Sequence, residues 1–306
     1  MSEQTTRRDA TLPLEGIDMT ATHDGDELGP RPSKHEVRQL VRASLGYPPE
    51  APRPLPMEGH VCDFPLWSYS KKRAAMTALH IAYEDGTFCT LRAPHGMPGP
   101  SFPGYLDCML YYGQRDIFVQ EYVEVSVYAI FKTLGMDPNN GGNYANFRRD
   151  MRRAFALSIE TDRFRNPQTG RRSHVEYFHI LRRMSLAKQR QEVSAFFFDD
   201  LFLASLRAGY LKRLDFDFCL YLDKNNAALA RFLYSHIIKR LGTKSIYMRR
   251  FLGFLNDVGL GYLATLPPKS RNQKVKQTVY PALGTLRGKA FTHWELDDDD
   301  NIVFIS

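Results

Sequence analysis

Residues 122–174 narrow the choice of fold more than any other stretch: an apolar helix, a helix-breaking turn and a two-faced helix follow one another without a gap. In YVEVSVYAIFKTLG, the apolar residues Val127, Ile130, Phe131 and Leu134 recur at helical spacing, with Ser126 placed to cap the start and Gly135 to stop the end. Asp137, Pro138, Asn139, Asn140, Gly141 and Gly142 then supply a turn of residues that tolerate the dihedrals a helix rejects. In the helix that follows, about 100° per residue puts Tyr144, Phe147, Met151 and Phe155 on one side, toward the first helix. Asn146, Arg149 and Arg153 fall on the other side, with Arg148 and Arg152 at the edges.

That order is how a helix-turn-helix reads. Arg bonds guanine edges or phosphates, and Asn pairs with an adenine edge in the major groove. Residues 157–161 then read as a strand, 166–170 as a turn and 175–181 as a returning strand. The tip of that expected hairpin carries Arg163, Arg165, Arg171 and Arg172, so the whole reads as a winged helix with a basic wing.

Charge is concentrated rather than spread. Residues 143–190 hold twelve Lys and Arg against four acids, and residues 265–290 hold six against none, on a chain of formal net charge +7. The remainder is net acidic, and two such regions fit two footprints on a polyanion such as double-stranded DNA. Apolar residues make up 43% of the chain, enough for a core. No run approaches the roughly eighteen apolar residues of a membrane span, and the first residues lack the apolar core of a signal peptide. Cys62, Cys89, Cys108 and Cys219 stand apart with no C-x-x-C among them, which suits reduced thiols in a cytoplasmic protein.

Residues 1–60, rich in Pro and acids, read as a disordered tail with one helical segment at 35–45. Strand signals at 64–67, 77–83 and 88–91 surround a turn at 84–87. The Gly- and Pro-rich loop 93–103 has no Lys-Ser/Thr behind it and reads as loop geometry rather than a phosphate loop. A helix over 105–114 leads to the central pair. Beyond the hairpin come a strand at 193–198, a helix capped by Asp199, an alternating strand at 214–222, and helices at 226–241 and 245–256. His236, on an apolar helix face, reads as a core residue.

Residues 269–287 form a second basic helix, with Val275, Val279, Ala282 and Leu286 inward and Gln273, Lys276, Gln277 and Tyr280 outward. Lys269, Arg271 and Lys274 lie near its start and Arg287 at its end, while Pro281 argues for a kink or a stop. A closing hairpin of 290–296 and 302–305 would be a second wing. The expectation is an α+β chain of two tandem winged-helix domains with β-hairpin wings, residues 61–205 and 206–306, after the tail.

Catalytic chemistry finds little footing. His174 and His179, five apart in an expected strand, face opposite sides and do not make the paired-His metal site of a DNA nickase. The four consecutive acids at 297–300 read as a solvated turn. Residues 284–290 are one short of a Walker A loop and carry Ala290 where Ser or Thr would hold magnesium. A non-enzymatic protein without metal or cofactor is expected.

The runs YVEVSVYAIFKTLGMDPNNGGNYANFRRDMRRAF, FFFDDLFLASLRAGYLKRLDFDFCLYL and LARFLYSHIIKRLG resemble plasmid replication initiators of the replication initiator protein A family. The resemblance covers residues 60–305 and departs at Pro281. It implies recognition of repeats at an origin, help in opening it, recruitment of host replication proteins and repression of its own promoter. It also implies dimerisation through the first winged helix and binding of repeats as a monomer. A transcriptional repressor of the same fold would need the same groove contacts. On either reading Asn146, Arg149, Arg153, Gln273, Lys276 and Gln277 are candidates for the groove. Arg148, Arg152, Lys269, Arg271 and Lys274 suit phosphates, and the wing arginines suit the backbone or minor groove.

Overall fold

The structure is a computed structural model that describes residues 54–59, 61–69, 74–114, 116–164, 175–188, 192–242 and 244–306; the helix expected at 35–45 lies outside them. It begins with β1 (Pro54–Glu58), a 3-10 turn at Val61–Asp63, and a hairpin of β2 (Ala78–Ala82) and β3 (Phe88–Arg92). The end of the expected tail is therefore a strand. Phe64, Leu66 and Trp67 are all buried but form no strand, since Pro65 has no N–H for a ladder and the burial does not alternate. Helices α1 (Phe102–Tyr112) and α2 (Asp116–Val119) follow.

β4 (Tyr122–Ser126) then runs into α3 (Val127–Leu134). The Ser126 hydroxyl accepts the Ala129 N–H at 3.2 Å, and Gly135, at φ 71°, ends the helix in the left-handed region. Across the turn the Asp137 carboxylate accepts the Asn139 N–H at 2.9 Å. The Asn140 side chain accepts the Gly142 N–H at 2.8 Å and starts α4 (Gly141–Ala156). Phe147 is buried with its ring 4.9 Å from Tyr105 of α1 and 5.9 Å from Phe131 of α3. Phe155, expected inward, is 41% exposed, and Ala154 is buried instead. The reason is angular: Ala154 lies about 20° from the direction of Phe147, and Phe155 about 80°.

β5 (Ser158–Thr161), β6 (Glu176–His179), β7 (Leu181–Ser185) and β8 (Val193–Phe198) come next. Their pairing corrects the sequence reading. β5 and β6 complete a four-stranded sheet in the order β2–β3–β5–β6, whereas β4 pairs with β8 in a three-stranded sheet ordered β4–β8–β7. The turn signals Asn166, Pro167 and Gly170 lie in the β5–β6 connection and residues 186–192 have none, so it is a non-local partner that decides which hairpin joins β4. β3 claims β5: the Thr161 hydroxyl donates to the Phe88 carbonyl at 2.6 Å, and Ile159 lies opposite Leu91.

α5 (Asp200–Arg207), β9 (Leu211–Asp215), α6 (Phe216–Lys224) and α7 (Ala228–Leu241) join this part to the next, with β9 antiparallel to β1. The run expected as a strand at 214–222 turns helical at Phe216, because the Asp215 carboxylate accepts the Phe218 N–H at 3.1 Å and caps the helix. β10 (Ile246–Arg250), α8 (Phe251–Asp257), α9 (Pro268–Leu286), β11 (His293–Leu296) and β12 (Asn301–Ile305) finish the chain. The segment 245–256 is thus strand and then helix, since β10 finds a partner in distant β12. The last sheet is ordered β10–β12–β11, so each half repeats strand, two helices and a hairpin whose final strand sits in the middle. Pro52–Ser306 packs as one compact unit.

Buried acids link the halves: Asp63 pairs with Lys239 and Arg240 of α7, and Asp107 with Arg231. Arg231 of α7 donates through Nε to Asp107 of α1 at 2.9 Å and through Nη2 to its other oxygen at 2.7 Å, and both side chains are fully buried. Burial opposes the charge on Arg231, but the Asp107 carboxylate outweighs it and holds the guanidinium above its usual range. Burial, and then the charge of Asp107, pushes the nearby Asp223 carboxyl well above the usual carboxylate range.

Asp107→Ala leaves a buried charge alone and is expected to cost about 3–5 kcal/mol in urea unfolding. Asp107→Leu with Arg231→Met should recover most of it, and a single-variant loss under about 1 kcal/mol would contradict the assignment. Asp223 keeps its proton in the folded chain at pH values where the unfolded chain has released it. The contribution of Asp223 to stability therefore falls as pH rises above about 4. Asp223→Asn removes that loss, so the stability gap should widen in the variant's favour as pH rises; a gap constant with pH would contradict it.

Candidate nucleic-acid interface

α4 presents a basic face that its own packing leaves clear. Asn146, Arg148, Arg149 and Arg152 are exposed. The acid of the same helix, Asp150, is turned inward and accepts the Gly99 N–H at 3.2 Å. Burial pushes its carboxyl above the usual range. A Cβ on Gly99 would stand 2.8 Å from that carboxylate, so the approach needs glycine. The loop 93–103 therefore braces α4 from behind. Arg149 stays 3.7 Å from Asp150 with over half of its side chain exposed. Arg153 departs from expectation: it is half-buried and donates to the Met97 carbonyl at 3.4 Å, which ties it to the bracing loop.

Arg163 is a further correction. It is 5% exposed, with its guanidinium 3.8 Å from the Tyr83 ring, donating to Thr87 Oγ1 at 2.7 Å and pairing with Asp85 at 3.3 Å. A side chain held this way supports the four-stranded sheet and does not stand out as a wing cation. Arg165, Arg171 and Arg172 lie outside the described residues. The hairpin that shares a sheet with β4 carries Arg182, Arg183 and Lys188, none of which the sequence reading selected. Arg182 is occupied by Asp200 at 2.7 Å and by Glu121. Arg183 is exposed and lies 4.9 Å from the Phe197 ring. Exposed Lys188 and Arg148 line one cleft of about 230 Å³ between α4 and the hairpin. The cationic run Lys188-Gln189-Arg190 between two strands was the available signal.

α9 repeats the arrangement. Val275, Val279, Leu283 and Leu286 are buried, while Lys269, Gln273, Lys274, Lys276 and Gln277 are exposed and Arg271 is half-buried. Tyr280, expected outward, is half-buried with its ring 5.1 Å from Trp294. Pro281 is accommodated inside the helix on the exposed side, and the Thr285 hydroxyl donates to its carbonyl at 3.0 Å. Arg287, just past the helix, is exposed but donates through Nε to the Thr292 carbonyl at 3.2 Å. Among the described residues, Arg148, Arg152, Lys269, Arg271, Lys274 and Lys276 have no carboxylate partner. Their charge is unneutralised at the surface.

Among the described residues, no helix is long and apolar enough to cross a membrane, and no group of three or more His, Cys, Asp or Glu could hold a metal ion. His179 lies 3.0 Å from the Leu157 carbonyl, and His174 lies outside the described residues.

Arg163→Ala is expected to cost about 1–3 kcal/mol of stability. Arg148→Ala, Lys188→Ala and Lys276→Ala should each stay within about 0.5 kcal/mol of wild type. Denaturant titration of the four variants checks this, and equal losses would contradict the division between supporting and free cations.

No family model matches the chain, and no curated protein matches it. Among solved structures, it is similar to a crystal structure of a selenomethionine derivative of domains 2 and 3 of RctB, with TM-score 0.51 and 8% identity. That likeness covers 81% of this chain and 98% of the other. A second crystal structure of RctB domains 2–3 gives TM-score 0.47 at 10% identity, covering 81% and 96% of the two chains. At this identity the similarity to RctB domains 2 and 3 is one of fold.

Proposed function

We propose that this chain is a non-enzymatic, sequence-specific double-stranded DNA-binding protein, with two tandem winged helices, that acts as a replication initiator in the cytoplasm. The observation that carries the reading is the pair of exposed cationic helix faces, each without an exposed acid on the helix itself and each set beside a hairpin. On α4 the only acid is buried, and α9 has none. A helix so prepared fits the major groove, and unpaired cations beside it gain from releasing condensed counterions on binding phosphates.

The roles follow from placement. Asn146 and Arg149 on α4, and Gln273, Lys276 and Gln277 on α9, suit base edges. Arg148, Arg152 and Lys188 around the first helix, and Lys269, Arg271 and Lys274 on the second, suit phosphates. Recognition of origin repeats, help in opening the origin, recruitment of host replication proteins and dimerisation through the first winged helix extend this reading. They rest on the resemblance to the replication initiator protein A family.

Binding to DNA from around its own gene, against random DNA, across a salt series tests the proposal. Footprints at direct repeats are expected. A single inverted repeat over the promoter would favour a repressor, and equal affinity for both DNAs would sink sequence-specific binding. Lys188→Ala should weaken binding to all sequences and lower the salt slope by about one. Arg149→Ala should cost about 1–3 kcal/mol on specific DNA and little on random DNA; equal losses would remove it from the groove.

A further inference from the structure

The open edge of β10 faces a basic cleft that contains no residue of α4 or α9. Among the described residues β10 pairs on one side only, with β12. The Ser306 N–H donates to the Ser245 carbonyl and the Phe251 N–H to the Asp300 carbonyl, so residues 245, 247, 249 and 251 bond inward across the ladder. Antiparallel geometry then turns the backbone N–H and C=O groups of Ile246, Met248 and Arg250 outward, to the free edge. Their side chains are exposed as well, Ile246 at 53% and Met248 at 60%. Exposed strand edges are commonly blunted by charged side chains, bulges or a covering element, and here Arg250 alone of the three outward residues is charged. β10 pairs with β12 in unbroken register and shows apolar side chains at its edge.

A cleft of about 600 Å³ opens beside this strand, lined by Ile246, Met248 and the cations Arg163, Lys212, Lys239, Arg240, Lys244 and Arg249. Asp85 and Asp257 line it too, but they are paired with Arg163 and Arg249. Lys239 and Arg240 share Asp63, at 2.5 and 3.2 Å. Lys212 and Lys244 have no carboxylate partner among the described residues. The Arg240 Nε is buried without a hydrogen-bond partner among them.

We propose that β10 accepts an extended segment of a partner protein as an added strand, with apolar side chains beside Ile246 and Met248 alternating with acidic ones directed into the cleft. Strand addition draws affinity from the outward backbone groups and selectivity from alternate side chains. The charge decides the occupant. A second copy of this chain, added edge to edge, would set one row of cations against another, whereas an acidic strand neutralises Lys212 and Lys244.

The test titrates the full chain into a fluorescein-labelled heptapeptide of alternating Glu and Val, with an alternating Lys and Val peptide as control. Saturable binding of the Glu/Val peptide is expected, at least about tenfold tighter than the control. Met248→Pro removes an outward N–H and leaves the bonds to β12 untouched, and should weaken binding about tenfold or more. Lys212→Glu with Lys244→Glu should do the same without altering the edge, which covers the case of a misfolded proline variant. Absence of saturable binding, equal affinity for both peptides, or indifference to the lysine reversals would overturn the proposal. So would a dimer in sedimentation that Met248→Pro dissolves, or displacement of the peptide by double-stranded DNA.

Discussion

The buried pair of Asp107 and Arg231 is the constraint on which the rest of this molecule leans. α1 packs against α4 through Tyr105, and α7 packs against α9. A bidentate ion pair with both partners fully buried fixes one of these helices against the other. Such pairs gain little net stability over an apolar contact, because desolvation cancels most of the attraction. What the pair supplies is position. Neither partner can move away without stranding a charge in the core. Asp223 beside it, its carboxyl pushed well above the usual carboxylate range by burial and by Asp107, tightens that constraint, since a second carboxylate charge there would upset the balance around Arg231.

From that fixed base the two halves develop alike. Each sends a strand into a pair of helices and returns through a hairpin, with the final strand in the middle of a three-stranded sheet. Each also frees the cations of its exposed helix in its own way. On α4 the acid is withdrawn to a backbone amide at Gly99; on α9 no acid was written in. Unneutralised cations on a solvent-facing helix raise the local potential and draw in polyanions. Cations that are already occupied, such as Arg163, Arg182 and Arg153, hold sheets, hairpin and loop in place instead.

The sequence carried this division only in part. Local chemistry was legible: Ser126, Gly135 and Asn140 mark helix ends through their own backbone bonds, and Phe147 and Met151 mark a buried face through spacing. What depended on distant partners was not. Two hairpins follow α4, the first with the clearer turn signal, and the choice between them is made by β3 and β4. Arg163 looked like a wing cation because the Tyr83 ring and Asp85 that hold it lie some eighty residues away. Residues 214–222 and 245–256 each change type midway, where an Asp215 cap or a far strand overrides the local period. The candidate site was therefore readable as helix faces, while its hairpin was not.

If the Asp107–Arg231 pair holds the two basic helices as one rigid pair, DNA must meet them at one spacing. The most direct measurement is affinity for a footprinted DNA into which about five base pairs, half a helical turn, are inserted between the two protected segments. A rigid pair predicts that the insertion lowers affinity about as much as removing one segment outright. Unchanged affinity would mean that the halves move independently, and the account built on the Asp107–Arg231 pair would be wrong.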